Sequence, residues 1–267
     1  MARSRWITGA LTVLAALTAL TALTVLTALT VLTAIAVILV PAAANGAPTP
    51  RTDPLSAPDR TAISFEGTGP RVGTLNQFDS YPALSIAKLY IVDYVVRRGD
   101  GDPEDMALGE RMIRYSDDLA ADTLAARYPM AIDAIADEYR LFATNGADYW
   151  GNSVTSVADV VTFLQAKKAE FPLSPVLAWM IMASPIAADG TVQNWGTATL
   201  PGAVGSKWAW SDFGASMVLS ASFGADFAAA AVTYGEPADQ TDDVTAAVAP
   251  GPTFAVAATS GERECGH

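Results

Sequence analysis

Histidine and cysteine are almost absent from this 267-residue chain, which has one of each, Cys265 and His267, both among its last three residues. A Ser-His-Asp triad, a Cys-His pair and a His-ligated metal site all need an imidazole held in a packed pocket. A chain terminus is a poor place to hold one. One cysteine also excludes an intramolecular disulfide framework. Proton transfer, if any, falls to Lys, Asp, Glu or Tyr, and no cofactor or metal is called for.

Basic residues are scarce as well. Arg3 and Arg5 are the only charges before residue 45, so the remainder carries 14 basic against 28 acidic residues. That is the wrong sign for neutralising phosphates and excludes nucleic acid as a partner. It suits a soluble, self-repelling surface.

One long segment has no charge at all, residues 6–40, with threonine at every third position from Thr18 to Thr33. Two arginines before it and Pro41-Ala42-Ala43-Ala44-Asn45-Gly46-Ala47 after it give the layout of a secretory signal, with cleavage after Ala44 or Ala47. As a helix it would reach about 50 Å against roughly 30 Å of hydrocarbon, so a retained signal anchor is the alternative. A threonine step of three spirals around a helix and makes no polar face. Either way the body is expected outside the cytoplasmic membrane, secreted or in the cell envelope. Membrane contact is then limited to residues 1–44.

Residues 45–60 hold four prolines and read as a linker. Residues 61–66 and 71–75 around Gly67-Thr68-Gly69-Pro70 suggest a β-hairpin. Helical patterns follow at Ile86–Arg97, Glu104–Arg127, Ala131–Leu141, Ser156–Glu170 and Ser174–Ala183. Three strands are expected at Ala203–Trp208, Ser216–Phe223 and Phe227–Tyr234, then a short helix at Asp239–Val248 and a loose tail, 250–267. Two strands, a helical middle and three strands give an α+β fold, with both ends of the 61–249 domain in one sheet. The run Asp100–Asp105 lacks the sixth-position glycine and terminal glutamate of an EF-hand and reads as a solvated turn.

Without histidine, the lysines matter, and there are four: Lys88, Lys167, Lys168 and Lys207. Lys167 and Lys168 end a helix, where cations suit the macrodipole. Lys88 lies three residues after Ser85, one helical turn away on the same face. A desolvated lysine loses its proton more easily and can accept one from a serine, which makes a nucleophile without histidine.

The surroundings carry a resemblance. Tyr81-Pro82-Ala83-Leu84-Ser85-Ile86-Ala87-Lys88 resembles the aromatic-Pro-x-x-Ser-x-x-Lys segment of class A β-lactamases and related penicillin-recognising serine enzymes. Ser116-Asp117-Asp118 looks like their Ser-Asp-Asn motif, and Lys207-Trp208-Ala209-Trp210 falls where Lys-Thr-Gly should be. The resemblance implies a three-layer α/β/α sandwich, with a five-stranded antiparallel sheet and a helical lobe. It makes Ser85 the acylated nucleophile, Lys88 its base and Ser116 a proton relay. Lys207 becomes the group that holds a substrate carboxylate, and the N–H groups of Ser85 and Trp210 the oxyanion hole. Asp118, Trp208, Ala209 and Trp210 would line the substrate.

The pattern also departs from the family. Asp118 replaces an amide that donates with a carboxylate that only accepts. Trp208 removes a hydroxyl, and Ala209 adds a methyl at the strand edge. No Glu-x-x-Leu-Asn segment is found, and Asp148 is the one carboxylate between Thr144 and Thr155. The interval from Ser85 to Ser116 is short, which implies a trimmed helical lobe. The sequence therefore supports a β-lactamase-like or penicillin-binding serine hydrolase acting on a β-lactam or a peptidoglycan stem peptide. The alternatives are an envelope protein that kept the fold and binds a ligand or partner, and a membrane-tethered structural protein.

Overall fold

The computed structural model describes residues 54–212 and 216–248. The signal or anchor, the first part of the linker and the 250–267 tail lie outside them. No helix among the described residues is long and apolar enough to cross a membrane.

The first hairpin forms as expected. β1 (Thr61–Glu66) pairs antiparallel with β2 (Val72–Gly73), Ser64 facing Gly73. A second, two-stranded sheet that the sequence pattern did not suggest pairs β3 (Tyr81–Pro82) with β4 (Val154–Thr155). β5 (Gly205–Trp210), β6 (Met217–Phe223) and β7 (Ala228–Tyr234) complete a five-stranded antiparallel sheet in the order β2-β1-β7-β6-β5. β6 and most of β7 are buried on both faces, so they read as apolar runs without strict alternation. β5 starts two residues later than expected and lies at the open edge of the sheet.

The helices are α1 (Ala87–Arg98), α2 (Pro103–Arg114), α3 (Asp118–Arg127), α4 (Ala131–Tyr139), α5 (Val157–Glu170), α6 (Pro175–Ile181) and α7 (Pro237–Ala247). Their starts are chemically marked. Asp102 caps α2 ahead of Pro103, Asp117 caps α3 by accepting from Ala120, Ser156 caps α5, and a Glu236/Asp239 capping box opens α7. The one long helix expected over Glu104–Arg127 is two. The break falls at Ser116, whose φ of 54° lies in the left-handed region, and Asp117 restarts the helix.

The sheet separates two layers. On one face Ala62, Leu219, Ala230 and Val232 meet the central α1 and α5 in the main core. On the other, Ile63, Phe65, Ala229 and Ala231 meet Val244 and Ala247 of α7. Leu55, within the stretch expected as linker, is buried in this second core.

Lys167 is not a solvated helix-end cation. Its ammonium is fully buried and ion-paired with the equally buried Asp93 of α1, beside Arg97 and the Phe171 ring. The pair ties α5 to α1, the helix that carries Lys88. A buried ion pair gains little over well-packed apolar groups, but breaking one side leaves an uncompensated charge. Asp93→Leu should therefore cost about 3–5 kcal/mol of unfolding free energy in urea titration. Asp93→Leu with Lys167→Met should recover most of that loss. Equal stability of the single and double variants would contradict this role.

Candidate active site

Ser85 sits in a 3-10 turn, Leu84–Ile86, that runs directly into α1. Leu84 has a φ of 48°, an uncommon conformation for a residue with a branched side chain. The Ala83 N–H donates to Ser153 O at 2.8 Å, which anchors the turn to the 142–156 loop through β3 and β4. Ser85 and Leu84 stay partly exposed, while Ala83, Ile86, Ala87 and Lys88 around them are buried.

Lys88, one turn further on, has no exposed side-chain surface. Its Nζ donates to Ser85 Oγ at 2.9 Å, to Ser116 O at 2.7 Å and to Asp118 Oδ1. An ammonium has three donors, and these are the three shorter of its four contacts, the fourth being Ser116 Oγ at 3.5 Å. The fourth side of the group is covered by the Trp150 ring, with Nζ 4.9 Å from its centroid. Burial pushes the Lys88 pKa down, and the charge and hydrogen bond of Asp118 oppose that by favouring the ammonium.

Lys207 arrives from the opposite side, in the middle of β5. It too is fully buried, and its Nζ donates to Ser116 Oγ at 2.7 Å and to Trp208 O at 3.0 Å. Burial, and then the nearby Lys88 charge, hold Lys207 well below the usual lysine range. Ser116 thus stands between two lysines: Lys88 reaches its carbonyl and, at 3.5 Å, its hydroxyl, and Lys207 reaches its hydroxyl. Its left-handed backbone turns both oxygens into the site. The result is a continuous chain from Ser85 Oγ through Lys88 Nζ and Ser116 Oγ to Lys207 Nζ.

The other expected site residues are placed differently. Trp208 is buried, donates its indole N–H to Trp195 O at 3.0 Å, and packs with Trp195 and Val218. Ala209 faces the main core with no exposed surface. Trp210 is partly exposed at the end of β5, and its indole N–H donates to Asp189 at 3.1 Å. Ser211 N–H donates inward to Met217 O at 2.9 Å, so strand alternation turns the N–H of Trp210 toward the open edge. Asp148 is exposed and makes no hydrogen bond to Ser85 or Lys88 among the described residues. It lines a cavity of about 720 Å³ with Asp122, Asp133 and Trp150.

Three residues at the site gave no motif signal. Trp150 closes over Lys88 and is held by its N–H to Asp122 Oδ1 at 2.7 Å. Asp189 and Asp212 stand at the mouth. The Asp212 carboxyl is pushed up by burial and by the charges of Asp118 and Asp189. No group of three or more metal-ligating side chains occurs among the described residues.

No protein-family model matches this sequence, and no curated protein does either. Solved structures do. A variant of the reconstructed class A β-lactamase of the last common ancestor of Gram-negative bacteria superposes with a TM-score of 0.56 at 19% identity, covering 71% of this chain and 90% of its own. A β-lactamase from Streptomyces albus G gives 0.56 at 15% identity, covering 69% and 91%. A class A β-lactamase from Mycobacterium abscessus gives 0.54 at 15%, covering 71% and 91%. The fold is that of a class A β-lactamase. In the β-lactamase fold seen here, the Ser85 turn and the edge strand β5 face each other across Ser116.

The buried Lys207 yields a test. In a folded state that disfavours its ammonium, stability is lowest below the depressed folded pKa and recovers as pH rises toward the unfolded value near 10.5. Lys207→Met removes that penalty while keeping volume. The variant should exceed the parent in stability most at low pH, with the margin shrinking through the alkaline range. Denaturant unfolding of both proteins at pH 6 and pH 9 measures it, and a pH-independent difference would count against a buried, depressed lysine.

Proposed function

We propose that this protein is a Ser-Lys acyl-transfer enzyme of the β-lactamase fold, forming an acyl-enzyme at Ser85. The observation that carries the reading is the Lys88 Nζ to Ser85 Oγ hydrogen bond at 2.9 Å, made by a lysine with no exposed surface. Once Lys88 sheds a proton, its amine accepts from Ser85, and the alkoxide attacks a carbonyl carbon. The N–H groups of Ser85 and Trp210 would receive the oxyanion. The proton then passes through Ser116 to the leaving nitrogen or oxygen, and water later cleaves the ester.

The fold relatives are β-lactamases by name, which supports a β-lactam or a D-alanyl peptide as the amide attacked. The 142–152 loop presents an indole to Lys88 in place of a carboxylate, so release of the acyl group should be slow. The Arg-flanked apolar N-terminus supports action outside the cytoplasmic membrane. A second reading, a ligand-binding protein with the same fold, is favoured by the Asp118 contact, which supports the ammonium form of Lys88 against the effect of burial.

Labelling with a fluorescent penicillin and with an uncharged fluorophosphonate, read by intact mass, tests the reading. The wild type should gain one adduct on Ser85, Ser85→Ala should gain none, and Lys88→Met should react at least about 100-fold more slowly. No adduct from either probe on folded protein, or labelling undiminished in Ser85→Ala, would overturn it.

A further inference from the structure

In the family that the sequence resembles, the second lysine offers its charge to a substrate carboxylate. Here that offer is withdrawn. Lys207 Nζ is fully buried and committed to Ser116 Oγ and Trp208 O. The Trp208 side chain beside it is turned into a packed cluster with Trp195. No cationic side chain of the Ser85–Lys88–Ser116–Lys207 chain presents exposed surface to the mouth.

The exposed charge at the mouth has the other sign. Asp118 gives Oδ1 to Lys88 yet leaves its side chain 57% exposed. Its second oxygen has no partner among the described residues. An ionised carboxylate only accepts hydrogen bonds, so a substrate group resting there must donate. Asp189 adds a second exposed carboxylate, fixed beside the entrance by Thr191 and by the Trp210 indole N–H. Asp212 lies two residues past the end of β5 and senses both of these charges.

We infer that this site selects substrates carrying a protonated amine close to the scissile carbonyl, an aminoacyl amide or ester, and discriminates against those carrying a carboxylate. The inference rests on the acyl-transfer reading and revises its substrate: β-lactams and D-alanyl peptides carry a carboxylate beside the scissile amide, so this site should acylate them more slowly than amine-bearing substrates. Asp118 would take the ammonium through its free oxygen while Ser85 attacks the adjacent carbonyl. The overall acidity of the body favours approach of the same charge.

Three thioesters that differ in one substituent make the test: racemic alanine S-benzyl thioester, its N-acetyl derivative and its N-succinyl derivative, with charges of +1, 0 and −1. Released thiol is followed for wild type, Ser85→Ala, Asp118→Asn and Asp189→Asn at low and high salt. Ser85-dependent kcat/KM should fall from amine to acetyl to succinyl, by at least tenfold between the ends. Salt should narrow the spread, as it does for exposed charges. Asp118→Asn should bring amine and acetyl substrates within about threefold, and the exposed Asp189→Asn should remove part of the preference without touching the Lys88 contact. Ser85-dependent turnover that is equal for the three, or fastest for the succinyl substrate, would overturn the charge inference and leave acyl transfer standing. No Ser85-dependent turnover of any of them would overturn both.

Discussion

Two buried lysine side chains meet at Ser116, and one carboxylate, Asp118, touches Lys88 from the solvent side. Burying a cation is costly, and burying two against each other more so. The structure relieves this in two ways. Asp118 supports the ammonium of Lys88, while Lys207 meets only neutral acceptors, and burial and the Lys88 charge weaken its hold on its proton. The serine hydroxyl, the relay and the electrostatics of the site all follow from how that charge is divided.

The fold supplies the rigidity this division needs. α1 is enclosed on most sides, and the buried Asp93–Lys167 pair locks it to α5 one turn below the site. Ser116 is held in a left-handed conformation between two capped helices, and Lys207 projects from a strand whose register with β6 is fixed over its whole length. Side chains set by helix, helix break and strand are placed more precisely than loop residues would be. Trp150, which reaches Lys88 from the 142–152 segment, is itself pinned by Asp122 and by the β3–β4 pairing. In the proposed reaction Asp118, at the position of an amide in the family that the sequence resembles, supports the resting ammonium of Lys88, slows that lysine as a base and reverses the charge that a substrate meets.

Much of this was legible in the sequence because the relevant signals are local. Ser85 and Lys88 are one turn apart, Ser116-Asp117-Asp118 carries a motif resemblance, and a scarce lysine in an alternating segment marks Lys207. The sheet order follows from strands at both ends of the domain. What escaped was set by contacts between segments far apart in the chain. Nothing near Lys167 indicates that Asp93 will meet it, and nothing near Trp150 indicates that it will cover Lys88. β3 and β4 are two residues each, too short to show a period. The expected continuous helix over Glu104–Arg127 failed because helical periodicity does not register a single left-handed residue. Trp208 was expected at the substrate because of its place in a motif, whereas its surroundings on β5 make it a core residue.

The central claim is that Asp118 sets the protonation of a buried Lys88. With four lysines in the chain, side-chain NMR can follow each ammonium as a function of pH. The account predicts that Lys88 loses its proton at a lower pH in Asp118→Asn than in the parent, because burial then acts with less opposition. A Lys88 midpoint that stays in place, or moves up, would contradict it.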